Sequence, residues 1–211
     1  MMEQYLAALP SLNRNEQGDV GRMPVMRRGA YVNNFRRTME TPKSTILNIY
    51  SGEMEYNVET VMVASMLKQI LDLVYMEKVR ENESGTYGVS TAVDLSIFPK
   101  GRTVLQTYFD TDPELKEKLS AIVNDELMAI VNDGPREVDF AKTRENMLKR
   151  YDEAIQENSY WLNAIDMVHF RGYDRHSGYK ARLESITPAQ IQAFTKNLIS
   201  QSNHIEVIMD P

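Results

Sequence analysis

A change of hydrophobic period fixes most of what this chain can become. From Asn57 the residues Val58, Val61, Met62, Met66, Ile70, Leu71 and Val74 recur at helical spacings, and the pattern runs to about Asn82. From Thr86 to Phe98 the residues Tyr87, Val89, Thr91, Val93, Leu95 and Ile97 take alternate positions instead. A period of 3.6 buries one stripe of a helix and a period of 2 buries one face of a sheet, so both kinds of element must share a core. Between the patterns lies Val79-Arg80-Glu81-Asn82-Glu83-Ser84-Gly85-Thr86-Tyr87-Gly88, which holds a cation and a phenol at the rim between two rigid elements. Such connections carry a disproportionate share of binding residues.

The remaining pattern extends the same architecture. Ser44 to Tyr50 is rich in β-branched and aromatic residues and ends at Ser51-Gly52, which predicts a strand; Arg102 to Phe109 predicts the return strand of a hairpin that turns at Pro99-Lys100-Gly101. Asp112-Pro113-Glu114 has the chemistry of a helix opening, with Leu115, Leu119, Ile122, Val123, Leu127 and Ile130 as the buried stripe and Gly134-Pro135 as the stop. Glu137 to about Phe170 predicts one or two helices ending at Gly172, followed by a polar loop. Thr187-Pro188-Ala189-Gln190 predicts a capping box opening a helix to about Ile199, and His204 to Met209 alternates as a closing strand. The order predicts the α+β class: an antiparallel-rich sheet covered by helices on one face. Met1 to Thr41 is interrupted by Pro10, Gly18, Gly21, Pro24 and Gly29 and reads as linker, its arginines as a solvated face.

Bulk properties narrow the function classes. A chain of 211 residues can bury a full core, and a net charge of −6 works against attraction to phosphate backbones, so no nucleic-acid partner is expected. With no cysteine there is no disulfide and no thiolate metal site. No apolar run reaches the ~18 residues of a membrane span, and Met1 to Leu12 is too short and polar for a secretory signal, which leaves periplasm, envelope and cytoplasm all open. His169, His176 and His204 fit no standard zinc spacing, and no phosphate loop or nucleophile elbow is present. No metal site and no catalytic residue is expected in this chain.

Glu77-Lys78-Val79-Arg80-Glu81 followed by Gly85-Thr86-Tyr87-Gly88-Val89-Ser90 resembles the R-E-x-x-G-x-x-Y-type signature in C-terminal domains of the insulinase/pitrilysin family of zinc peptidases. The glycine is displaced by Asn82-Glu83-Ser84, while the arginine-to-tyrosine interval is kept. Met39 to Lys43, Tyr50 to Glu53, Glu157 to Leu162 and Leu183 to Ile191 also match in the family's order, so the resemblance spans about Tyr5 to Pro211. It implies the mitochondrial-processing-peptidase-like domain fold. It also implies residues 40–211 as a peptidase C-terminal domain, with residues 1–39 as linker and the tail of a preceding domain. The family's H-x-x-E-H zinc motif is absent here, so zinc, its ligands and the general base are expected in another domain or subunit of the parent enzyme.

On the residues alone, Arg80 reads as a cation at a helix C-terminus paired with Glu77 or Glu83, and Tyr87 as a strand aromatic packed on the helices. The resemblance implies that both hold a peptide substrate across an enclosed chamber, as donors for its carbonyl and the charge that develops on it, with Glu81 orienting Arg80. The function so implied is the substrate-binding domain of a zinc metallopeptidase, catalytically silent in isolation. The alternative is a structural or partner-binding domain from a subunit without the zinc motif. Trp161, the single tryptophan, reads as core or domain-interface packing.

Overall fold

A computed structural model describes residues 25–81, 88–97 and 100–211, with the side chains of Arg80 and Glu81 left out. The strands are β1 (Ala30–Arg36), β2 (Ser44–Glu53), β3 (Ser90–Ser96), β4 (Arg102–Thr111) and β5 (Asn203–Asp210). The helices are α1 (Val58–Tyr75), α2 (Lys116–Asp133), α3 (Glu137–Ala154), α4 (Asn158–Arg171), α5 (Tyr179–Ser185) and α6 (Pro188–Ser200). A π-helical segment, Met76–Glu81, continues α1, and a 3₁₀ turn, Pro113–Leu115, precedes α2.

The sheet order is β1-β5-β2-β4-β3, antiparallel except for the parallel β1–β5 pair. Strict alternation along β4 buries Thr103, Leu105, Thr107, Phe109 and Thr111. Their partners in β2 include Ile46 and Asn48, and with Ile208 of β5 this face packs against the stripes of α1, α2 and α6. Tyrosines of β2 and α1 bond to α2 in this layer, whereas the buried hydroxyls of Thr103 and Thr107 have no hydrogen-bond partner among the described residues. Tyr50 Oη donates to Asn124 Oδ1 of α2 at 2.9 Å, and Tyr75 Oη to the Val123 carbonyl at 3.2 Å. His204 stacks on Tyr50 with centroids 4.3 Å apart and 4° between planes, and its Nε2 lies 2.9 Å from Asn48 Oδ1. The opposite face carries Thr45, Leu47, Ile49, Val104, Tyr108, Ile205, Val207 and Met209, none fully buried.

The α+β class with helices on one sheet face is the one the sequence predicts. Three local readings change. Residues expected as linker supply β1, all seven of them exposed; its pairing with β5, more than 170 residues away, has no local signal. Part of the expected polar loop is α5. Asp112 makes no capping bond, because the chain first turns as 3₁₀ and α2 opens at Lys116. The Thr187–Gln190 capping box is formed with both its hydrogen bonds. Tyr5 to Leu9, Arg14, Arg22, Thr86, Tyr87, Phe98 and Pro99 lie outside the described residues.

Candidate functional site

Arg80 lies in the π segment and Tyr87 just before Gly88; the Arg80 side chain and all of Tyr87 lie outside the described residues, but the walls on either side are defined. The π segment has a reason in the sequence. Leu67, Ile70, Leu71 and Val74 form the centre of the buried stripe of α1, and at 100° per residue an α-helical continuation would turn Lys78 into that stripe. The wider π turn delays the next residue into that place, and Val79, 0% exposed, fills it. Lys78 is left outside, 3.9 Å from Glu126 of α2.

One ion pair fastens this turn to the start of α3, and a second holds the arginine that makes it. Arg136, just before α3, forks onto Glu77 at 3.1 and 2.6 Å and donates through Nε to Asp139 at 2.5 Å. The fork lowers the Glu77 pKa, and Glu77 and then Asp139 raise that of the guanidinium. Glu77 was one expected partner of Arg80. Among the described residues it is held by Arg136.

Across the rim, Gly88 has φ +150°, a region that side chains with a Cβ rarely adopt, and Val89 packs against the core as β3 begins. Ser90 stands opposite Tyr108 in the register, and Tyr108 Oη lies 3.1 Å from Asp110 Oδ1. Asp110 also accepts from Thr45 at 2.5 Å and Lys43 at 2.6 Å. Partial burial pushes its carboxyl up, and the bonds from Lys43, Thr45 and Tyr108 outweigh that and hold it below the ordinary range. The rim thus opens onto a polar cluster on the uncovered sheet face, beyond which lie Leu47, Ile49, Val104 and Val207. An apolar floor bounded by hydrogen-bonding groups suits an extended peptide.

Among the described residues no group of three His, Asp or Glu is placed to hold a metal ion. The hydroxyls of Tyr151 and Tyr160 sit 3.1 and 2.9 Å from His176 Nδ1, and His204 is engaged by Asn48 and Tyr50. These residues do not fit a zinc site. The Arg136 clamp and the π segment were missed from sequence, although a lysine in line with the stripe at position 78 is their visible trace.

The fold superposes on the periplasmic protease PqqL from Escherichia coli with a TM-score of 0.72, at 16% identity, over 89% of this chain and 21% of that one. A protease from Helicobacter pylori gives 0.74 at 9% identity, over 99% of this chain and 51% of that one. A zinc protease PQQL-like protein of Arabidopsis thaliana is 25% identical over 121 residues, which is 55% of this chain and 12% of that protein. The chain therefore spans about half of the Helicobacter pylori protease and about a fifth or less of the other two. The family described as the peptidase M16 inactive domain matches residues 1–147, well over half of the sequence, and the chain belongs to that family.

Proposed function

We propose that this chain is the substrate-binding C-terminal domain of a zinc metallopeptidase, silent alone, and that Arg80 and Tyr87 contact the peptide. The observation that carries the reading is the uncovered apolar sheet face running to the rim that these two residues flank. Zinc is a property of the family's proteases. Because the described residues do not fit the metal, the reading puts it in a partner domain or subunit that faces this one, with the binding domain including β1 (Ala30–Arg36) and not starting at residue 40. A guanidinium and a phenol at the rim would donate to a peptide carbonyl and to the charge that grows on it as the bond is cut.

The test replaces Arg80 by Ala and Tyr87 by Phe separately in the complete enzyme. A fall of tenfold or more in kcat/KM for a fluorogenic peptide, with an unchanged melting temperature, is expected for each. Unchanged kinetics in both would sink the assignment.

A further inference from the structure

The least explained surface of the molecule is α4. Of its fourteen residues only Met167 is buried, while Trp161, Leu162, Ile165 and Val168 are 41, 70, 54 and 48% exposed; Phe170, 82% exposed, lies half a turn away from Trp161. Trp161, Ile165 and Val168 follow the i, i+4, i+7 spacing of a single face, and Leu162 widens it. Asp166 and Arg171 flank the stripe on its two sides, giving an apolar centre with a polar rim.

The stripe is also rigid. Trp161 Nε1 donates to the Ile155 carbonyl at 2.9 Å, and its ring lies 4.7 Å from that of His176 and 5.4 Å, edge-on, from Tyr160. Tyr151 and Tyr160 hold His176 in turn, and Tyr179 of α5 stacks on Tyr151 at 4.3 Å. An aromatic side chain fixed this way has little rotamer freedom left to lose on association, which is the character of an interface anchor.

We infer that the α4 stripe docks against a second folded unit of the same polypeptide. This rests on the reading of the chain as one domain of a longer peptidase, and it adds the face by which that domain is held. The length of the relatives selects this occupant. The exposed parts of the four side chains come to roughly 400 Å², close to the apolar share of the ~800 Å² that one side of a specific interface buries, and a linker supplies the effective concentration. The relatives have the polypeptide for it: the Helicobacter pylori protease is about twice the matched length and the PqqL chain nearly five times.

The chain has no cysteine, so single thiols report accessibility cleanly. Ile165→Cys, with Val138→Cys on α3 as the exposed control, would be labelled with a maleimide in the 211-residue chain and in the polypeptide that carries its neighbouring units. Both sites are expected to react rapidly in the short chain. In the long one, the thiol at 165 is expected to slow at least tenfold while that at 138 does not. Equal rates in the long polypeptide, or a polypeptide without a second unit, would overturn the inference. So would a dimer of the 211-residue chain by light scattering that Leu162→Glu dissociates, since the occupant would then be a second copy. None of these readouts depends on peptide turnover, so failure of the Arg80 and Tyr87 assignment leaves them intact.

Discussion

His204 couples stability to pH through its stack on Tyr50. Burial disfavours its charged form and nearby Glu206 offsets part of this, so its pKa in the folded protein lies below the ordinary 6.5. The unfolded chain therefore takes up a proton that the folded one refuses. This contribution to stability is complete above about pH 6.5 and is lost as the pH falls through the folded value. Urea midpoints should drop between pH 7.5 and 5.5, and His204→Phe should flatten that drop while lowering stability at both, because Asn48 loses its partner. Arg136 is the second residue with an outsized effect. Arg136→Ala leaves Asp139, 6% exposed, without a counterion, and a loss of roughly 1–3 kcal/mol is expected in denaturant titrations. Lysine at 136 should restore only part, since an ammonium cannot fork. The Arg136–Glu77 fork and the His204–Asn48 contact were not legible in the sequence, because they join residues 59 and 156 apart; the Arg136–Asp139 pair, at i, i+3, is the local part of the clamp.

At the scale of elements, the π segment joins packing to the site. It admits one extra residue so that Val79 rather than Lys78 enters the core, and the chain leaves the core one residue later than a regular helix would. Deleting Met76, about half exposed, should restore α-helical geometry with Val79 still inside. The expected outcome is an undiminished melting temperature together with reduced peptide turnover in the complete enzyme, because residue 80 would be displaced relative to β3. A drop in both would mark the segment as purely structural. Most elements could be read from sequence because their signals are local: the stripe of α1, the alternation of β4, the capping box of α6. The misses share a cause. β1 is exposed throughout and exists through a distant strand, and α5 is seven residues long with one buried side chain, Leu183. The proposed Arg80 and Tyr87 contacts rest on the family resemblance alone, since nothing in a cation and a phenol at a helix-to-strand junction specifies a peptide.

For the whole molecule, the proposed function is that of a domain that binds without cutting. The isolated chain supplied with zinc should not hydrolyse fluorogenic peptides above background, and chelator-sensitive turnover by it would contradict the reading. The order of the strands also constrains how the domain is born. β5, the final strand in the chain, lies between β1 and β2, so the sheet is missing an inner member until residues 203–210 are made. During synthesis β1 lacks its partner and β2 presents an open edge while the helices and hairpin between residues 58 and 200 are made. Closing contacts that distant in sequence is slow, and an exposed apolar strand edge meanwhile invites pairing with the wrong chain. The nascent domain is therefore a natural client for chaperones, and a ribosome that stalls before residue 203 would release an aggregation-prone product.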